Sequence, residues 1–373
     1  MVESLAKFSQ KYRVLKTRSL EARSAKLWGP ALIFGRLWEE QGLPEILRSL
    51  SEGRKFGFDV ERIAFALALQ RLCAPGSDLQ GYGWTPTVEG LPEIALQHLY
   101  RTNGFLAEVR EDLEKALFAR DRDLFSRELD LVFLDTTSVS IYRDTETEWR
   151  KRGYSRDHRP DLPQLVLGVA VDRKGWPVSW EVFPGNTADP EAFEAMITKM
   201  RTRFRIGRVV VVADRGMMGK KSLVGNKGYA RYLRVTKDAM RIDEDKVAAE
   251  ARYDGKYVLR TNTDLPAAEV AKTYKSLWRV ERAIFHHRDD MSIGHIVAGF
   301  LALRLEMDLQ RRLDAHGVDV SWPTLMRDLS QVHAVRLEAD GHTYVSRTDL
   351  QGTAHQAFRA AGVRPPSSVT MTG

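Results

Sequence analysis

Apolar residues recur at helical spacing through the first third of the chain, at Leu27, Leu32, Ile33 and Leu37 and again at Ile63, Leu67, Leu69 and Leu72, with a break at Pro75-Gly76. Thr102 and Asn103 stand where caps are expected, ahead of a charged helix that runs to Arg120. After Arg127 the period changes. Continuous apolar runs at 131–135, 165–171 and 177–183, each bounded by turn residues, predict three strands. A helical stretch at 188–205 follows, then four consecutive valines at 209–212 that predict a buried strand ending at Ala213-Asp214-Arg215-Gly216. Residues 219–255 are polar and irregular, 256–260 predict a short strand, and helical patterns cover 266–286 and 293–309. A hairpin is expected around Asp340-Gly341, before an end rich in Pro, Ser and Thr. The pattern divides the chain into an all-helical segment 1–127, an α/β segment 128–310 and a C-terminal helix and hairpin tail 311–373, with no internal repeat.

A chain of 373 residues with 43% apolar residues can bury a sizeable core, which excludes a disordered tail. Its net charge of +7 favours a polyanionic partner such as nucleic acid. The single cysteine, Cys73, reads as a small core residue and fits a reducing compartment. No apolar stretch approaches the ~20 residues that span a bilayer, and the first residues lack the order of a signal peptide, so the expectation is a cytoplasmic protein without a membrane partner.

Three carboxylates stand out. Asp135 and Asp214 each close a predicted strand and are followed by small or flexible residues, Thr136-Thr137 and Arg215-Gly216. In α/β architectures that rim carries chemistry, although a lone aspartate there also serves as a turn or loop cap. Helical spacing sets Glu281 on one face with Val270, Tyr274, Leu277, Trp278 and Phe285. A carboxylate in an apolar stripe must be paired, hydrogen-bonded or bound to a metal; a salt bridge to an arginine is the plain alternative. Three such oxygen donors suit hard cations, Mg²⁺ or Mn²⁺. A pair of those ions would activate a water or 3′-hydroxyl and stabilise the leaving oxygen in displacement at phosphorus.

Five segments, in order, resemble the insertion-sequence transposases of the DDE class, in an IS-four-like group: Phe-Leu-Asp-Thr-Thr-Ser at 133–138, Gly-Tyr-Ser-Arg-Asp-His-Arg-Pro-Asp-Leu-Pro-Gln at 153–164, Phe-Pro-Gly-Asn-Thr at 183–187, Val-Ala-Asp-Arg-Gly-Met at 212–217 and Tyr-Lys-Ser-Leu-Trp-Arg-Val-Glu-Arg at 274–282. The resemblance covers roughly 130–310. It implies a ribonuclease H-like catalytic core with a mixed sheet and flanking helices, and DNA cutting and joining at element ends. Asp135, Asp214 and Glu281 are then the catalytic residues and ligands of two ions, with Tyr274 as the signature tyrosine. Implied partners are terminal inverted repeats, target DNA and a second copy of the chain in a synaptic dimer, with the helical segment gripping element ends.

Two departures from the family pattern read as internal deletions. Leu277 replaces the signature's arginine, and its lysine falls on Arg288 or, if 284–290 match the segment beyond the lysine region, is missing with a stretch just after Ala283. A long β-rich insertion expected after Met217 is reduced, leaving a shortened insertion at 217–265. An active transposase, a remnant that only binds DNA, and a carboxylate-metal nuclease unrelated to transposition therefore all stay open.

The resemblance also favours DNA contact for the loop 142–159, where Arg150, Lys151, Arg152, Arg156, His158 and Arg159 mix with Tyr142, Trp149 and Tyr154. Arg215 and Arg288 join this set. Acidic neighbours such as Glu146 and Asp157 make a solvated, internally paired loop the alternative. A basic arm at Lys7, Lys11, Arg13, Lys16, Arg18 and Arg23 could grip DNA or fray in solvent. His286 and His287 lack partners at zinc-ligand spacing.

Overall fold

The computed structural model describes residues 20–125, 132–142, 144–154, 159–172, 174–204, 213–214, 233–235, 240–242, 259–260, 265–276, 292–339 and 341–372. In chain order the elements begin with strand β1 (Glu21–Leu27) and helices α1 (Gly29–Glu40), α2 (Leu43–Ser51), α3 (Val60–Cys73), α4 (Asp78–Trp84) and α5 (Leu96–Phe125). Next come β2 (Val132–Ser140), β3 (Gln164–Asp172), β4 (Pro177–Pro184), α6 (Asp189–Thr202), β5 (Ala213–Asp214), β6 (Leu233–Val235), β7 (Met240–Ile242), β8 (Leu259–Arg260) and α7 (Ala267–Ser276). The chain ends with α8 (Ile293–Ala315), α9 (Trp322–Leu329), β9 (His333–Ala339), β10 (His342–Arg347), α10 (Ala354–Ala360) and β11 (Val369–Met371). It forms two compact units, one of residues 1–127, 141–144 and 278–373, the other of 128–140 and 145–277.

The first unit is built around α8, which packs on α5, α3 and α1. Its apolar residues from Ile296 to Leu309 are buried on nearly every side, as expected of a helix at the centre of a helical cluster. Close approach needs a missing side chain: a Cβ on Gly294 would lie 2.0 Å from the Asn103 carbonyl oxygen of α5. Asp59 caps α3 by accepting the Arg62 N–H at 3.1 Å, and Ser77 and Gln80 form a capping box at α4. Buried charges on α8 are paired. Arg304 donates to both Asp121 oxygens, each at 2.9 Å, and Asp308 accepts from Arg311 and Arg312.

A four-stranded antiparallel sheet in the order β1-β9-β10-β11 completes this unit. The hairpin expected at Asp340-Gly341 forms, with Gly341 at φ +76°. Three expectations for the first third change. The segment is not wholly helical, because β1 pairs with β9 and a partner some 300 residues away leaves no local pattern. Arg23, placed in a basic arm, lies on β1 and pairs with Glu21 and Glu338. Thr102 and Asn103 are not caps: α5 starts at Leu96 and both are buried within it, with the Asn103 amide spent on Asp78 at 2.9 and 3.0 Å rather than on a helix end.

The second unit carries the three predicted strands as an antiparallel β2-β3-β4 meander. All nine residues of β3 are buried, which explains its unbroken apolar run. Helix α6 packs on β2 and β3, and Gly168 lets Met196 come close, a Cβ there lying 3.0 Å from Met196 Cγ. Two short antiparallel pairs follow, β5-β8 and β6-β7, the latter inside the stretch expected to be irregular. Every ladder between these strands is antiparallel among the described residues; the valine run 209–212 lies outside them.

Candidate functional site

Asp135 is the fourth residue of β2, paired with Val169 of β3, so it does not close its strand as its sequence context suggests. The β-branched Thr136, Thr137 and Val139 continue the strand to Ser140. Neighbouring side chains on a strand face opposite ways. Thr136 is buried and donates from Oγ1 to Asp189 Oδ1 at 3.0 Å, at the start of α6. Asp135 therefore projects from the face opposite α6. It is half-buried, and its Oδ1 accepts the Thr136 N–H at 2.9 Å.

Asp214 is the second residue of β5, its backbone opposite Leu259 of β8. Tyr274 lies half-buried on α7, where Val270 is buried one turn earlier, as the apolar stripe requires. Glu281, Arg156, His158, Arg215 and Arg288 lie outside the described residues, as do both abrupt joins, His286 and His287. Among the described residues no three His, Cys, Asp or Glu side chains gather as a metal cluster.

The basic loop leaves the sheet at Ser140 and returns at Gln164, residues that face each other in the β2-β3 register. Asp135 lies five positions along β2 from that end, roughly 17 Å at ~3.4 Å per residue. Among the described residues, three of the loop's cations have carboxylate partners: Arg152 bonds Glu146 at 3.3 Å, Lys151 lies 4.0 Å from Glu146, and Arg159 bonds Asp161 at 2.7 Å. These bonds hold Glu146 and Asp161 below the usual carboxylate range, led by the Arg152 N–H at Glu146 and the Arg159 side chain at Asp161. The partners are solvent-exposed, so the pairs are weak and exchangeable. Tyr154 is 85% exposed, and Arg150 is half-buried.

One group of residues escaped the sequence reading. Gln164, only 1% exposed, donates from Nε2 to the carbonyls of Tyr154 at 2.9 Å and Gly185 at 2.7 Å. Lys151 and Gln164 exchange backbone hydrogen bonds of 3.2 and 2.9 Å, and the Gly185 N–H reaches the Trp149 carbonyl at 3.0 Å. Side chains are excluded there: a Cβ on Gly185 would lie 2.0 Å from the Gln164 carbonyl, and one on Gly153 would lie 2.3 Å from the Gly185 carbonyl. The basic loop is thus clamped to the end of β4. The signal was present, since Gly153, Gln164 and Gly185 all fall in the quoted motifs.

The second unit thus offers a strand-borne aspartate on the same sheet whose end carries a clamped cationic loop. Residues 126–296, a little under half of the chain, match the family model described as "Transposase DDE domain". The match supports a DDE transposase, an enzyme class that cuts and joins DNA strands and generally uses divalent metal ions. Comparison with curated proteins and with solved structures gives no match. No helix among the described residues is long and apolar enough to cross a membrane.

Proposed function

We propose that this chain is a transposase that binds the terminal inverted repeats of an insertion sequence and cleaves and transfers its strands, through Asp135, Asp214 and Glu281 on a ribonuclease H-like core. The observation that carries the reading is the match over 126–296, a segment that encloses all three carboxylates. The donor set fits hard cations: it is all carboxylate oxygen, and Asp135 is half-buried on a strand whose backbone is paired with Val169 of β3. When bound, Mg²⁺ or Mn²⁺ would supply a water or hydroxyl nucleophile and charge stabilisation at phosphorus.

The chain's own residues supply position. Lys151, Arg152 and Arg159 would trade their exposed carboxylate partners for DNA phosphates, with Arg150, Arg156, His158, Arg215 and Arg288 as further contacts. A clamp at Gly185 holds that loop in register with β2, so phosphates bound there stay a fixed distance from Asp135. Tyr274 would be a further DNA contact, and two copies would synapse the two element ends.

The test is cleavage of labelled duplex carrying the element's terminal repeats, with Mg²⁺ or Mn²⁺, comparing wild type with Asp135→Ala. Nicking at the repeat boundary that falls by at least roughly a thousandfold in the variant supports the reading. A second reading, a remnant that binds ends without cutting, is favoured by the two apparent deletions, after Met217 and after Ala283. Repeat-specific binding without nicking by wild type, unchanged in Glu281→Ala, would select it. Cleavage with no preference for repeated ends would instead mark a nuclease unrelated to transposition.

A further inference from the structure

Within the first unit, the turn between α2 and α3 meets the start of α5 in a cluster of rings and cations. Phe56 packs on Phe58 and Phe105 at 5.4 and 5.6 Å between centroids, and His98 stacks on Phe58 at 4.3 Å. The Arg101 guanidinium lies over both Phe56 and Phe58, at 5.4 and 5.1 Å, and donates from Nη2 to the Lys55 carbonyl at 3.4 Å. Arg62 lies over Phe65 at 4.8 Å and bonds the Gly90 carbonyl at 3.2 Å. Arg54 covers Phe105 but is forked onto Glu108 at 2.5 and 3.0 Å. Among the described residues, no ion pair joins Lys55, Arg62 or Arg101 to a carboxylate.

We infer that Lys55, Arg62 and Arg101 form a second nucleic-acid contact, one that grips the phosphate backbone of duplex DNA; the choice of DNA as the polyanion rests on the transposase reading. A free arginine loses side-chain entropy when it is fixed. Here two rings and a carbonyl already fix Arg101 while its charge stays exposed, which lowers the cost of adding a phosphate. Bases have little to stack on, since Arg101 and His98 cover faces of the half-buried Phe56 and Phe58. The surface therefore positions the duplex without reading its sequence. Glu108 acts as a brake, occupying Arg54, the fourth cation of the cluster.

A purely structural role for Arg101, as a cover for the rings, is the competing account, and it is separable. Arg101→Met keeps an apolar cover and removes the charge. Binding of the full-length chain to a duplex of unrelated sequence is measured in EDTA across about 50–200 mM salt, where cleavage plays no part. Arg101→Met is expected to bind roughly three- to tenfold more weakly, with a slope of log K against log salt shallower by about 0.9, at an unchanged melting temperature. Glu108→Gln, which frees Arg54, is expected to shift affinity and slope the opposite way, a response that misfolding does not produce. Wild-type affinity and slope in Arg101→Met, weaker binding in Glu108→Gln, or no duplex binding by wild type would each overturn the proposal. Both responses in a chain that never cleaves repeat ends uphold this surface and count against the catalytic reading alone.

Discussion

Removing Asp121 tests how the first unit holds the helix that follows the Glu281 segment. Arg304, on α8, is only 2% exposed and Asp121, on α5, 9% by side chain, and the two meet through paired bonds of 2.9 Å. Gln41, at the C-terminal end of α1, accepts the Arg304 Nε–H at 3.3 Å. Asp121→Ala strips both carboxylate bonds from a guanidinium that stays dehydrated, and breaking a buried pair from one side costs about 3–5 kcal/mol. For a unit of roughly two hundred residues, each 1 kcal/mol moves the melting temperature by about 2–4 °C, so a fall of roughly 6–20 °C is expected by calorimetry. Replacing both partners with apolar residues, Asp121→Leu with Arg304→Met, is expected to recover most of that loss, because the intact pair offsets little more than its own dehydration. A drop below about 3 °C in the single variant, or a double variant as unstable as the single, would refute the reasoning.

The clamp on the basic loop gives a local test. A Cβ at Gly185 meets carbonyl oxygens at 2.0 and 2.3 Å, so Gly185→Ala is expected to release the loop, destabilise the second unit by roughly 1–3 kcal/mol and hasten proteolysis near Lys151; cleavage as slow as wild type contradicts the clamp. Asp328 accepts the Thr353 N–H at 2.8 Å and its Oγ1–H at 2.9 Å, and these bonds, the backbone one foremost, hold its carboxyl below the ordinary value of 3.8. A depressed carboxylate stabilises the fold above its unfolded pKa and loses that contribution as pH falls through the folded one. Asp328→Ala should therefore melt lower than wild type by roughly 1 kcal/mol at pH 7, with the gap closing below about pH 3.8; a gap that persists at low pH rules the linkage out.

What could be read from the chain depended on whether a residue's structure was set by its neighbours in sequence. The strands at 165–171 and 177–183 and the helix from Ile293 were legible because burial on all sides leaves long apolar runs. Strand β1 was not, because Glu-Ala-Arg-Ser-Ala-Lys-Leu becomes a strand only through β9. Asn103 misled for a related reason: a polar residue in a helix interior looks like a cap until Asp78, whose carboxylate also meets His295 from far along the chain, is brought against it.

At the candidate site the same distinction sets where the two aspartates lie. Asp135 reads as a strand end because an apolar run stops there, yet the run stops because the exposure of the strand changes, not because the strand does. Phe133 and Leu134 are buried, whereas Asp135 and Thr137, on the face opposite α6, are half-exposed before Val139 is buried again. A carboxylate in mid-strand has its backbone bonded into a ladder with Val169 and gains a firmer base than a loop aspartate would have. The clamp at Gly185 is its counterpart at the sheet end, built from glycines and one glutamine whose roles depend on close approach rather than charge. A sequence advertises its charged candidates, while the residues that hold them in place become visible only when distances are known.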